Sequence, residues 1–174
     1  MKTPALLLRA FLLGLVLLAV PAAGWAQASK PGWSTDAARS FAKARAEKKL
    51  VLMDFTGSDW CPWCVRMDKE VFSTPEFIRY AKDNLVLLEL DYPHRKEQSP
   101  QLRSQNQALA QQYGVSAFPT LVVLGANGRR LRTIDGYLPG GAKALLAELG
   151  RLKAAGASTA GAAPASARPR VASN

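Results

Sequence analysis

The chain has 174 residues, with 23 Lys and Arg against 13 Asp and Glu for a formal charge of +10, and 48% of its residues are hydrophobic. That is the size and apolar content of one modest domain with a buried core, and 13 Gly and 11 Pro are too few for a collagenous or wholly disordered protein. Two Cys and a single His, His94, exclude four-Cys zinc sites and disulfide-dense small folds.

Residues 1–28 carry Lys2 and Arg9, an apolar run from Ala10 to Val20, then Pro21 and small residues ending in Ala26-Gln27-Ala28. This is the pattern of a secretory signal peptide, with cleavage predicted after Ala28. The run is short of the ~20 residues a membrane-spanning helix needs, so no stable membrane insertion is expected after cleavage. Ser34 or Thr35 then caps a helix reaching about Lys48, with Ala37, Ala38, Phe41, Ala42 and Ala44 as its apolar stripe. Leu50 to Phe55 reads as a buried strand, and a loop from Thr56 to Trp60 leads into Cys61-Pro62-Trp63-Cys64 at the start of a helix. Met67, Val71 and Phe72 continue that helix until Thr74-Pro75-Glu76, a cap followed by a first-turn proline and acid, restarts it. Leu85 to Asp91 is a second apolar strand, Ser99-Pro100 opens a helix ending near Tyr113-Gly114, and Thr120 to Leu124 with Leu131 to Ile134 flank the turn Gly125-Ala126-Asn127-Gly128. An amphipathic helix over Gly140 to Leu152 closes the domain, and residues 154–174, almost all Ala, Gly, Ser, Thr and Pro, read as a disordered tail. This order predicts an α/β domain over residues 29–153, with a mixed central sheet of four to five strands and helices on both faces.

Two thiols at Cys-x-x-Cys spacing are a redox pair, half of a metal site, or a haem attachment if His follows. Val65 follows here, which removes haem. A zinc site would need two further ligands from one His and scattered carboxylates, and no metal is expected. Cys61 sits where a loop turns into a helix, a place that favours a thiolate, with Arg66 and Lys69 adding positive charge nearby. Cys64 is one turn further in, spaced to attack a mixed disulfide formed on Cys61. The competing reading is a static disulfide that staples the helix start, in which case the domain is a binding module.

Val51-Leu52-Met53-Asp54-Phe55, Trp60-Cys61-Pro62-Trp63-Cys64, and Tyr113-Gly114-Val115 running to Phe118-Pro119-Thr120-Leu121 together resemble the thioredoxin superfamily over residues 34–153. The surrounding Phe55 to Cys61 and Met67 to Phe72 further resemble its exported, single-domain members related to small disulfide-isomerase-type domains. The resemblance implies a thioredoxin-like fold, Cys61 as exposed nucleophile and Cys64 as resolving thiol, with no cofactor beyond that dithiol. It makes Pro119 a cis proline whose bond with Phe118 shapes the substrate groove, together with Trp60, Pro62 and Trp63. Asp54 matches the buried family acid that moves protons at the resolving cysteine. Two departures stand out: the loop from Asp54 to Cys61 is one residue longer, and the lysine that often pairs with the acid is not evident, Glu89 being the nearest strand candidate. His94, in a polar loop, reads as solvated, and Tyr137 is given no role.

The reading that follows is a thiol–disulfide oxidoreductase, reductase or isomerase rather than oxidase, acting on cysteines of exported proteins and served by a membrane or soluble electron-transfer partner. The alternative is a non-catalytic module holding unfolded or partner proteins, and metal delivery is weaker for want of soft ligands. With a signal peptide and no endoplasmic-reticulum retention signal, the expected location is periplasmic or secreted. Lys2, Arg9, Arg168 and Arg170 carry four of the ten excess charges, and the remaining +6 includes no basic run interleaved with aromatics, so nucleic acid is not an expected partner.

Overall fold

The computed structural model describes residues 30–161, so the signal-peptide segment and residues 162–174 of the tail lie outside the described residues. In chain order the elements are β1 (Trp33–Ser34), α1 (Ala37–Glu47), β2 (Leu50–Thr56), α2 (Pro62–Met67), a π-helical turn over Asp68–Phe72, α3 (Pro75–Asn84), β3 (Leu85–Asp91), α4 (Pro100–Tyr113), β4 (Thr120–Leu124), β5 (Arg130–Asp135) and α5 (Gly141–Gly161). The five strands form one sheet in the order β1-β3-β2-β4-β5. β1 and β2 run parallel to β3, while β4 is antiparallel to both β2 and β5.

Period-two alternation sorts the strand side chains onto the two faces. Val51, Met53 and Phe55 of β2 join Val86, Leu88 and Leu90 of β3 against Ala37 and Ala44 of α1 and Leu109 of α4. Leu50 and Leu52 join Leu85 and Leu87 on the opposite face, with Phe77 and Ala81 of α3 and Leu145 and Leu149 of α5. The next residues in that second series are Asp54 and Glu89, which stand opposite each other in the β2–β3 register. Both are buried, so Glu89 points inward beside Asp54 rather than toward solvent.

The helix ends follow local chemistry. Thr74 and Ser99 cap α3 and α4 through their side-chain oxygens, each followed by the proline expected at a first turn. Gly114 closes α4 at φ 71°, in the left-handed region where glycine meets no penalty. Three boundaries differ from expectation. Asp36, not Ser34 or Thr35, caps α1: its carboxylate accepts from the Arg39 N–H at 2.9 Å, while Trp33 and Ser34 pair with β3 as a short edge strand. β5 starts one residue earlier and ends one later than its apolar core, and α5 runs on to Gly161, because alanine supports helix beyond the last apolar contact.

Candidate functional site

The C-terminal end of β2 delivers the chain into the loop before Cys61. That loop is pinned from below: the Ser58 N–H and hydroxyl both donate to the Asp91 carboxylate, and the Asp59 carboxylate accepts the N–H groups of His94 and Arg95 at 3.0 and 2.8 Å. Trp60 is thereby brought onto His94, ring on ring at 4.5 Å and 7°, and its indole N–H donates to the Tyr92 carbonyl at 2.7 Å. A Cβ on Gly57 would lie 2.5 Å from the Trp60 ring, so only glycine lets the indole close over the loop. His94 is thus a solvent-exposed loop residue, as its sequence suggests, that also stacks on the tryptophan.

Cys61 takes extended backbone angles and caps α2, its Sγ accepting the Cys64 N–H at 3.2 Å. Pro62 occupies the first helical position, where no intrahelical donor is needed. The two cysteines are joined as a disulfide with Cα atoms 5.2 Å apart. In this state Cys61 is 4% and Cys64 3% exposed, so the expected exposed nucleophile is covered while its sulfur is bonded to its neighbour. What is exposed is the rim: Trp63 at 53% and Trp60 at 38%.

The two tryptophans are held differently. Phe118 meets Trp60 edge to face at 5.9 Å and also packs on Tyr92 at 4.9 Å. The Phe118–Pro119 bond is cis, and Pro119 is buried immediately before Thr120, which pairs with Phe55 at the site end of β2. On the other side Trp63 lies 5.9 Å from Tyr137, with the Arg66 guanidinium over both rings at 5.4 and 4.8 Å. The Tyr137 hydroxyl donates to Glu70, whose carboxylate also accepts from Arg66 at 3.0 Å. Arg66 is thus neutralised by Glu70 rather than lending its charge to Cys61, and Tyr137 is a rim residue that its sequence position did not reveal.

Cys64 borders a partly open cavity of about 460 Å³ whose lining also includes Lys30, Asp68 and Glu89, with Ser58 and Asn106 among its other polar residues. The lysine absent from the strand is supplied by the segment before β1. Lys30 Nζ lies 3.3 Å from Asp54, 3.2 Å from Glu89 and 3.1 Å from Asp68. Burial by itself would depress the Lys30 ammonium; the Asp54, Glu89 and Asp68 carboxylates outweigh it and hold its pKa above the ordinary lysine range. Asp54, 2% exposed, feels the reverse: burial pushes its carboxyl up to about 6 against the pull of Lys30, with Glu89 and Asp68 adding to the rise. Its Oδ2 meets Lys30, whereas Oδ1 has no hydrogen-bond partner. Among the described residues no group of three or more His, Cys, Asp or Glu is arranged to hold a metal ion.

The raised carboxyl has a stability consequence. An unfolded Asp titrates near 4, so between about pH 4 and 6 the folded protein keeps a proton that the unfolded chain has released. Stability therefore falls as pH rises through that window, by about 3 kcal/mol in all. Asp54→Asn is expected to be more stable than the parent at pH 7, by about 1–3 kcal/mol, and to lose the slope between pH 4 and 6. Urea unfolding at a series of pH values checks this; a variant weaker than the parent at pH 7 would contradict it.

A profile of the thioredoxin-like domain matches residues 37–152. The disulfide bond reductase DsbH of Chlamydia pneumoniae is 35% identical over 112 residues, covering 64% of this chain and 67% of that protein. The thiol:disulfide interchange protein DsbD 2 of Pseudomonas aeruginosa is 33% identical over 105 residues, covering 59% of this chain but 16% of that longer protein. A solved structure described as DsbH oxidoreductase is similar at a TM-score of 0.66 and 31% identity, over 74% of this chain and 92% of the other.

Proposed function

The chain belongs to the thioredoxin-like family, and from that premise we propose that it is a thiol–disulfide oxidoreductase working in the reducing or isomerising direction on cysteines of exported proteins. The observation that carries the proposal is the Cys61–Cys64 disulfide at a helix start, with the Cys64 N–H donated to Cys61 Sγ and Cys64 facing a cavity shared with Lys30, Asp68 and Glu89.

In the reduced protein, Cys61 attacks one sulfur of a substrate disulfide. The new Cys61–substrate bond forms as the old disulfide breaks, and the first substrate sulfur leaves as a thiolate. The hydrogen bond from the Cys64 N–H favours the Cys61 thiolate that begins this step. Cys64 then gives up its proton and attacks Cys61 Sγ, closing the internal disulfide and expelling the second substrate thiolate, so that two electrons have passed to the substrate. Asp54 is the acceptor for the Cys64 proton, since its Oδ1 is unpartnered and its carboxyl titrates near enough to neutrality both to accept and to release. Trp60, Pro62, Trp63, Phe118 and Pro119 form the groove that receives the substrate chain. The cycle closes when a dithiol of a partner protein, membrane-bound or soluble, reduces the disulfide; the likeness to DsbD 2 supports a partner of that system. A signal peptide cleaved after Ala28 would place the domain in the periplasm or outside the cell.

Reduction of insulin by dithiothreitol, followed as turbidity with and without the purified protein, tests the activity. Catalysed precipitation supports the proposal, and a rate equal to the uncatalysed one overturns it.

A further inference from the structure

We propose that Lys30, contributed by the segment ahead of β1, is a positioning residue for the proton that Cys64 releases: its ammonium holds Asp54 and Glu89 side by side and keeps Asp54 able to accept. The inference rests on the oxidoreductase reading above and assigns a part in it to a residue outside the family's recognisable motifs.

Asp54 and Glu89 are adjacent across β2 and β3, and Asp68 approaches from the π-helical turn, so three carboxylates converge on one small volume. A single cation serves all three. Leu121, opposite Asp54 on β4, offers no charge, and Lys30 is the basic group that faces the acid. Without it, the like charges of Glu89 and Asp68 together with burial would hold a proton on Asp54 well into the neutral range, where it could not receive another.

The lysine is also fixed in place. Its ammonium lies 4.5 Å over the Trp33 ring and 5.1 Å over the Phe72 ring, its carbonyl accepts the Trp33 N–H at 2.9 Å, and Trp33 is held in turn by pairing with Leu87 of β3. Lys30 lines the same cavity as Cys64, whereas Asp54 is buried beyond it. The ammonium therefore stands at the boundary between the cysteine's cavity and the buried acid, and its charge sets how readily that acid is ionised when Cys64 must lose its proton.

The test is the titration of the Asp54 carboxyl carbon by NMR in the oxidised full chain, compared among the parent, Lys30→Met and Lys30→Arg. In Lys30→Met the Asp54 midpoint is expected to rise by about one pH unit or more. The acid limb of the rate of mixed-disulfide resolution should rise with it, slowing that step by about twofold at pH 7 and by nearly tenfold at about pH 5. Lys30→Arg, which keeps the charge, should restore both. An unmoved midpoint in Lys30→Met overturns the proposal, as does a shift that Lys30→Arg fails to reverse. Should Lys30→Met not fold, Lys30→Gln, uncharged but still a donor, reads the same shift. The titration needs no turnover, so an inactive parent protein would count against the oxidoreductase reading and leave the Lys30 result standing.

Discussion

Replacing Cys64 by Ser is expected to arrest the protein as a mixed disulfide between Cys61 and its substrate, while Cys61→Ser forms no such adduct and loses disulfide reduction by at least about a thousandfold. The asymmetry comes from geometry. Cys61 Sγ accepts the backbone N–H of residue 64, a donor that survives when that side chain becomes serine, so the thiolate of Cys61 is still supported in the variant. Its bond to a substrate sulfur then has no second thiol to break it, because the two cysteines are the only ones in the chain. In Cys61→Ser the remaining thiol is buried, 3% exposed, and lines the cavity shared with Lys30 rather than the tryptophan rim, so an incoming disulfide has no nucleophile at the groove. Non-reducing electrophoresis after incubating each reduced variant with a disulfide-bonded substrate such as insulin separates the cases. Equal adduct from both variants would reverse the roles given to the cysteines and reopen the reading of the pair as a static staple.

A second large effect is expected in the core: Phe77→Ala should cost about 3–5 kcal/mol, the range found when a buried aromatic leaves a cavity that the surroundings cannot close. Phe77 is 1% exposed, lies 5.2 Å from Phe72, and stacks at 14° on Trp33. Trp33 meets Phe72 at 5.0 Å, so the three rings form one cluster joining α3, the π-helical turn and β1. Loss of Phe77 removes the ring stacked on Trp33 and leaves it the edge contact with Phe72, and Trp33 with Phe72 is the seat of the Lys30 ammonium. The variant should thus lose stability and also loosen the cation from its carboxylates. Ile78→Ala, one residue on and 56% exposed, is the control, expected to change stability by no more than about 0.5 kcal/mol. Urea melts of the two variants measure the contrast; similar losses would mean that the aromatic cluster is not what anchors α3.

Much of this arrangement can be read along the chain. Strand alternation places Asp54 and Glu89 on the face of Leu52 and Leu87, and the spacing of Thr74-Pro75 and Ser99-Pro100 marks two helix starts that the side-chain caps then honour. The Cys-Pro-Trp-Cys motif and Phe118-Pro119 likewise announce the disulfide and the proline bend. What escapes is whatever depends on segments meeting far from one another in sequence. Lys30 precedes every periodic element, so no pattern ties it to an acid 24 residues away. β1 is two residues long, too short to alternate, and exists because β3 offers it an edge. Arg66 reads as a helpful positive charge near Cys61 until Glu70, four residues on along the same helical path, turns out to occupy it. His94 and Tyr137 look idle because their partners, Trp60 and Trp63, are brought to them by loops pinned through Asp59 and by the last turn of the sheet.

The placement of Lys30 also bears on where the working unit begins. The family profile starts at residue 37, at the first turn of α1, and a fragment cut there would still contain β2 to β5, both cysteines and the cis proline. It would lack the edge strand, the Trp33 ring and the one cation shared by three buried or half-buried carboxylates. The outline by which relatives are recognised is therefore narrower than the unit of chemistry. Two fragments that differ only by residues 30–36 would look alike as folds and differ in how they handle a proton.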